Sequence, residues 1–576
     1  MSDGETLAVQ PLPAPASAPA PAPGSDARWR PALRIEPVLL LAALYVALAG
    51  NGAFWSAALA GRDLADGRAW ALAAALLALL VAGAFLPLAA VATRRTAKPA
   101  IALLLVTAAV AGHFVDRYGV YLDPDMLRNA LRTDWGEAGE LLTPALALHL
   151  LVWCGPPLFL LARVELRRPP ALRALAVRIG WTLALLATTG GLLFAAYQDL
   201  ASLLRNQREL RYLAIPGNYL YSGVRALAGE ARQAGAAVPR RPVGEDAVLG
   251  PGWAQRRRPA LFVLVVGETA RAANWQLSGY ERPTTPQLAA RGDVIDFGRV
   301  SACGTNTEVS LPCMFSAVGR RDYDERRIRG SEGLLHVLAR VGFAVRWRDN
   351  QSGCKGVCDG LGEERMAAVE AVRAAGLCDG ERCLDEALLQ GLDGVVADAT
   401  GNLVLVLHML GNHGPAYSRR YPEAFRHFAP DCRDADLARC TRAEIVNAYD
   451  NALRYTDHVL ARAIDFLEAR SASHDAALLY VSDHGESLGE NGLFLHGVPY
   501  AIAPRQQVEV PMALWLSPSF AANFGVDAAC LRERATRPAA HDHLFHSLLG
   551  LLDVRTAVYD ADWDFTAGCR RLGGAA

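Results

Sequence analysis

Before residue 200 the chain carries five long apolar stretches, and the loops between them that are net basic alternate with loops that are not. The stretches run over residues 37–60, 69–92, 99–115, 144–162 and 179–198. Each approaches the roughly 20 apolar residues that cross a bilayer core with every backbone hydrogen bond satisfied internally. The third is short, and Pro156-Pro157 predicts a kink in the fourth. Arg28, Arg30 and Arg34 precede the first span, while Arg94, Arg95 and Lys98 separate the second from the third. Arg163, Arg167, Arg168 and Arg173 separate the fourth from the fifth. Residues 61–68 balance two Arg against two Asp, and 116–143 holds an excess of acids. Basic loops stay on the cytoplasmic side, so the N-terminus is expected inside and everything after residue 198 outside.

Four units follow. Residues 1–36 form a Pro/Ala-rich tail, expected to be disordered, with no cleavage site after a short apolar core. The bundle occupies 37–198. An amphipathic helical linker covers 199–258, with helices at 199–213 and 219–234 broken at Pro216-Gly217-Asn218. Leu200, Leu203, Leu204, Leu210 and Leu213 make an apolar face, suited to the membrane surface or to the C-terminal unit. Residues 239–258 read as an exposed connector. The C-terminal unit is 259–576. A formal net charge of -1 gives no reason to expect a nucleic-acid partner.

Of eleven cysteines, Cys154 lies in a span and the rest lie beyond residue 300. Cys303/Cys313, Cys354/Cys358, Cys378/Cys383 and Cys432/Cys440 are close pairs, suggesting local disulfides in an oxidising compartment. Cys530 and Cys569 are candidates for a fifth. Irregular spacing without neighbouring histidines argues against a zinc cluster.

Beyond residue 258, buried strands are expected at 260–266, 403–407 and 477–481, with helices including 330–340 and 442–470. Continuous apolar strands alternating with helices imply a parallel sheet covered on both faces. Such sheets place their sites at the carboxyl ends of the strands. Here those ends carry Glu268, then Gly411-Asn412-His413-Gly414-Pro415, then Ser482-Asp483-His484-Gly485-Glu486. Glu268, Asp483 and His484 suit Zn²⁺ with one position left open. The segment 303–310, CGTNTEVS, offers Thr305 and Thr307 as nucleophiles near a helix start, where amides favour phosphate. A threonine hydroxyl needs activation at neutral pH, which zinc would supply.

With these motifs in place, the chain resembles the lipid A phosphoethanolamine transferases of Gram-negative bacteria, including those conferring polymyxin resistance. The resemblance rests on VVGETAR (265–271), CGTNTEVSLPCMFS (303–316), DNQSGCKG (349–356), GNHGP (411–415), SDHGESLG (482–489), Leu495-His496-Gly497 and 541–545. In the last, the family more usually shows Ser-His-Asp-Asn, so Ala540 and His543 depart from the pattern.

The resemblance implies a five-helix membrane domain carrying an α/β alkaline phosphatase-like domain with a mainly parallel central sheet. It implies zinc ligands at Glu268, Thr307, Asp483 and His484, with Thr307 rather than Thr305 the nucleophile. Lys355, His413, Glu486 and His496 match positions lining the donor or a second metal site. His413 and His496 also match the acid–base role. The implied reaction moves phosphoethanolamine from phosphatidylethanolamine to a lipid A phosphate, in a monomer of the bacterial inner membrane, with one tight zinc and a second during turnover. Kdo, heptose or a periplasmic glucan are alternative acceptors. Phosphoglycerol transfer, phosphohydrolysis and a non-catalytic lipid-binding sensor or scaffold are the competing functions. A sulfatase is disfavoured because no Cys-x-Pro-x-Arg occurs around residue 303. His541, His543 and His546 form a competing candidate metal cluster.

Overall fold

The computed structural model describes residues 31–571 apart from 134, 168, 208, 235–239 and 381. Most of the stretch read as a tail, residues 1–30, lies outside the described residues. Within its last six residues, Ala32–Leu33 pairs in parallel with Glu165–Leu166.

The membrane region is built from α1 (Ile35–Ala49), α2 (Gly52–Leu59), α3 (Gly67–Val91), α4 (Ala97–Tyr118), α5 (Pro124–Arg132), α6 (Trp135–Leu141), α7 (Pro144–Arg163) and α8 (Ala171–Ala195). Helices α3, α4, α7 and α8 are each long and apolar enough to cross a membrane. The first expected span is broken instead: α1 and α2 meet at 61°. Asn51 holds the break, its Nδ2 donating to Val46 O (2.9 Å) and Ile215 O (3.0 Å) while its Oδ1 accepts from Ile215 N (2.8 Å). Helix α7 continues through Pro156 and Pro157. Helix α8 starts eight residues before the expected 179 and buries only Thr189, leaving Leu172, Leu175, Leu183 and Phe194 on an apolar surface. An apolar face of that extent requires a non-aqueous neighbour.

The expected linker helices appear as α9 (Tyr197–Asn206), α10 (Leu210–Leu213) and α11 (Gly217–Ala234). Leu203, Leu210 and Leu213 are buried in the apolar core of the membrane helices, while Leu204 is exposed. Their face therefore packs on the bundle rather than on the catalytic domain. The stretch read as an exposed connector is partly built into the catalytic domain. Val248–Leu249 pairs with Val554–Arg555, and Trp253 sets its ring edge-on to Phe343 and Phe524. The Arg256 guanidinium lies 3.6 Å from the Phe524 ring centroid, so cation–π contact explains how an Arg-rich segment joins a core.

The catalytic sheet comprises β1 (Ala260–Gly267), β2 (Ile295–Asp296), β3 (Ala344–Asp349), β4 (Gly362–Arg365), β5 (Leu403–His408), β6 (Asp475–Ser482) and β7 (Met512–Leu516), in the order β2-β7-β6-β1-β5-β3-β4. Strands β6, β1, β5, β3 and β4 run parallel, and β7 is antiparallel to both neighbours. Along β1, Phe262, Leu264 and Val266 enter one core, and Leu261, Val263 and Val265 enter the other. That double burial is why the strand reads as an unbroken apolar run. The second core is closed by a 27-residue helix, Arg442–Glu468, started by a Thr441/Glu444 capping box.

All ten cysteines beyond residue 300 are bonded: Cys303–Cys313, Cys354–Cys358, Cys378–Cys383, Cys432–Cys440 and Cys530–Cys569.

Candidate active site

The register pairs Gly267 of β1 with Ser482 of β6, so Glu268 and Asp483 leave adjacent strands side by side. Asp483 N donates to Gly267 O at 2.9 Å. Its Oδ1 accepts from His484 N (2.7 Å) and Thr269 N (3.3 Å), leaving Oδ2 for the site. Gly411, at φ +54°, lets its loop press against Glu268; a Cβ there would lie 2.6 Å from Glu268 O.

A short helix, α12 (Thr307–Met314), begins with Asn306 as cap, its side chain accepting from Val309 N at 3.0 Å. Thr307 Oγ1 donates to Glu268 Oε2 at 3.0 Å and lies 3.3 Å from His484 Nε2. Thr305 Oγ1 instead donates to Val498 O at 2.8 Å. The hydroxyl of residue 307, not 305, therefore enters the cluster.

Glu268, Asp483 and His484 are completely buried, and one ligand atom from each lies within 4.8 Å of the others. Glu268 Oε1 and Asp483 Oδ2 accept no hydrogen bond and lie 3.2 and 3.4 Å from His484 Nε2. The imidazole makes a 2.9 Å Nδ1 contact with Gly485 O; donation there leaves the Nε2 lone pair facing the carboxylates. Such a set suits a cation. Without one it holds a proton: burial opposes charge on His484, but Asp483 and Glu268 raise its pKa to about 10. Burial and the Glu268 charge push Asp483 up to about 6.

The second histidine layer lies alongside. The His484 and His496 rings are 4.5 Å apart, and His413 and His496 5.4 Å. His496 Nδ1 meets Glu486 Oε2 at 2.8 Å, and Glu486 Oε1 accepts from Tyr417 OH at 2.7 Å. Glu486 is fully buried and reaches the site through His496. Burial lowers His413 well below the usual histidine value, against the pull of Glu268. Lys355 Nζ donates to Ser352 Oγ (2.6 Å) and Ser352 O (3.1 Å), holding the loop that carries it.

Similarity to known proteins can now be set beside this geometry. The phosphoethanolamine transferase EptA/EptB model matches residues 79–231, and the sulfatase model matches residues 260–554. Phosphoethanolamine transferase EptA of Escherichia coli (strain K12) is 38% identical over 548 residues, covering 94% of this chain and 98% of the relative. The chain belongs to the phosphoethanolamine transferase family. Phosphatidylethanolamine transferase Mcr-1 of Escherichia coli is also 38% identical, over 84% of this chain and 90% of the relative. The integral membrane protein lipooligosaccharide phosphoethanolamine transferase A from Neisseria meningitidis superposes with a TM-score of 0.87 at 35% identity, covering 94% of this chain and all of that one. The transferase thus pairs apolar membrane helices with an alkaline phosphatase-like domain.

Two residues adjoin this cluster in ways that the sequence does not announce. Gln351 Nε2 donates to Glu268 Oε2 at 3.1 Å, and its signal was its place in DNQSGCKG. His541 had been read as a possible metal ligand. Its Nδ1 accepts from Cys303 N (3.1 Å) and its Nε2 contacts Ser482 O (2.9 Å), bridging the segment that leads to Thr307 to the end of β6. Burial lowers its pKa to about 4, so it is neutral. His543 contacts Ala540 O and His546 accepts from Asp560 N, each at 3.1 Å. Among the described residues, these three do not form a metal-holding group. His541→Ala strands a buried N–H and a buried carbonyl, at about 1–3 kcal/mol each. A fall in the unfolding midpoint is expected by calorimetry, and an unchanged midpoint would refute the bridging role.

Proposed function

We propose that this transferase moves the phosphoethanolamine headgroup of phosphatidylethanolamine onto a lipid A phosphate, through a phosphothreonine at Thr307. The observation that carries the reading is the Thr307 hydroxyl at a helix start, hydrogen-bonded to Glu268 beside His484. Relatives named for phosphatidylethanolamine transfer and for lipooligosaccharide modification support the donor and the acceptor class.

In the first half-reaction Thr307 Oγ1 attacks the donor phosphorus, its proton passes to Glu268 Oε2, and the bond to diacylglycerol breaks. His496 protonates the departing alkoxide, and His413, which burial keeps neutral, is placed to take a proton from the acceptor. Glu486 on His496 Nδ1 orients that ring and stabilises the charged imidazolium that gives up the proton. In the second half the acceptor phosphate attacks the phosphothreonine, Thr307 leaves with the proton that Glu268 held, and the acceptor's own proton passes by way of His413 to recharge His496. Glu268, Thr307, Asp483 and His484 would hold a zinc ion. Once bound, zinc lowers the hydroxyl pKa and offsets charge accumulating on the phosphoryl oxygens.

We divide the chain functionally into the tail (1–36), the anchor (37–198), the linker (199–258) and the catalytic domain (259–576). The N-terminus is assigned to the cytoplasm and the catalytic domain to the periplasm of the inner membrane. The basic loops and the disulfides support that placement. Anchoring keeps the site beside two lipid substrates. Converting a phosphate into a zwitterionic ester lowers surface negative charge, and with it the attraction of cationic peptides.

Mass spectrometry of lipid A from a Gram-negative host expressing the protein should show added phosphoethanolamine. If the addition is found on Kdo, heptose or a glucan instead, the acceptor assignment fails and the transfer reaction stands.

A further inference from the structure

The nucleophile helix carries a second buried acid whose partners lie outside the reacting cluster. Glu308 follows Thr307 in the first turn of α12 and is fully buried. Its Oε1 accepts from Arg329 Nη2 at 2.8 Å and from Arg132 Nη1. Arg329 Nη2 also donates to the Glu308 main-chain oxygen at 2.6 Å. Arg132 ends α5, in the loop between the membrane helices α4 and α7. One turn earlier on α5, Arg128 donates to Glu325 Oε1, and Arg329 Nε donates to the same oxygen at 3.1 Å. Glu325 and Arg329 are the two ends of a five-residue helix, α13 (Glu325–Arg329). The chain Arg128–Glu325–Arg329–Glu308–Arg132 therefore starts and finishes on one α5 face. Asp125, 3.4 Å from Arg128, brings the cluster to three cations against three carboxylates.

The arrangement does two things for Thr307. A bare carboxylate next to the nucleophile would repel an incoming phosphodiester and cancel the positive end of α12; two guanidiniums neutralise it. The same guanidiniums clamp the residue peptide-bonded to Thr307, so the seat of α5 sets where Oγ1 stands against Glu268 and His484.

The rest of the loop repeats the pattern at the other site residues. Glu140 of α6 accepts from Arg382 (2.7 Å) and Arg420 (2.6 Å), and Arg420 Nε holds His413 O at 2.7 Å. Met126 of α5 packs on Gly497, beside His496; a Cβ on Gly497 would lie 2.7 Å from its sulfur.

We propose that Arg132 and Glu308 are positioning residues for headgroup transfer, through which the membrane loop sets Thr307 in its reactive place. The catalytic domain is fully competent only when seated on that loop. The inference rests on Thr307 as nucleophile.

The test uses the full-length protein with phosphatidylethanolamine in detergent micelles. Diacylglycerol release, phosphoethanolamine mass on the intact chain, and zinc per chain are followed for wild type, Arg132→Met, Glu308→Gln and the double variant. Each single change is expected to lower kcat by about tenfold to a hundredfold, with KM and zinc content close to wild type. The double should be no slower than its worse single within about twofold, because both break one contact. Arg132→Lys, which keeps the charge and loses the fork, should recover part of the rate. Single-variant kcat values within about twofold of wild type would overturn the proposal. So would losses that multiply in the double, or a loss matched by missing zinc. A zinc-loaded wild type that releases no diacylglycerol would overturn the Thr307 reading itself, and this one with it.

Discussion

Thr307→Ala should remove transfer, lowering it by about 10,000-fold or more, while the protein still folds and the Glu268, Asp483 and His484 cluster is still able to hold a metal ion. The expectation follows from how the neighbouring hydroxyls are committed. Thr305 Oγ1 donates to Val498 O, and Ser310 Oγ donates to Asp483 O. Neither can stand in for the lost oxygen. Thr305→Ala is the matched control: it loses one hydrogen bond beside the site and should keep activity within about tenfold, the cost of about 1 kcal/mol in alignment. Two readouts decide the matter. Lipid A should carry added phosphoethanolamine with wild type and Thr305→Ala, and none with Thr307→Ala. After exposure to phosphatidylethanolamine, the intact wild-type chain should gain a phosphoethanolamine mass that Thr307→Ala never gains. Transfer persisting in Thr307→Ala, or lost only in Thr305→Ala, would exchange the nucleophile.

Metal removal should be nearly as damaging, and visible without any assay of transfer. Glu268, Asp483 and His484 are all fully buried, with one carboxylate oxygen of each acid accepting no hydrogen bond. Chelation, or Asp483→Asn, should abolish transfer and lower the unfolding midpoint of the catalytic domain. An ion present at a hundred times its Kd stabilises by about 2.7 kcal/mol, which for a domain of this size corresponds to a shift of roughly 4 °C. The proton balance gives a second check. Asp483 and Glu268 raise His484 to about 10, so at pH 7 metal must displace a proton. Binding should release about one proton per ion and weaken as pH falls. Titration calorimetry in buffers of different ionisation enthalpy measures that directly. A chelated protein with unchanged midpoint and unchanged transfer would rule out a metal in this cluster.

The three strands whose ends carry the site were readable because their residues are apolar on both faces, and a doubly buried strand leaves an unbroken run. Strand β3 escaped notice for the opposite reason. Arg346 and Arg348 alternate with buried Val345 and Trp347, and Arg348 is buried only because Glu364 and the carbonyls of Leu388 and Gln390 accept from it. No local period announces those partners. Asn51 looked like an ordinary span residue until Ile215, 164 positions later, supplied both halves of its hydrogen bonding. The helix start at Asp542 was legible beside the competing metal reading of three neighbouring histidines, but the partners of His541 were not: they are backbone groups 238 and 59 positions away. The docking of α5 and α6 onto the catalytic domain was likewise invisible. Residues 116–143 show an excess of acids, yet Arg128 and Arg132 meet the catalytic domain, and their partners are known only once the chain is folded.

The cysteines bear on how such a protein is made. Every disulfide joins cysteines that are consecutive beyond residue 300, at separations of 10, 4, 5, 8 and 39 residues. As the chain emerges into an oxidising compartment from its N-terminal side, each cysteine meets its correct mate before any other unpaired candidate has arrived, even across the last and widest gap. An oxidase that simply joins thiols in order of appearance writes the native pattern without later correction. Biogenesis then depends little on a host's capacity to reshuffle wrong bonds, and the gene can be expected to yield active enzyme in hosts whose disulfide-isomerising machinery differs widely.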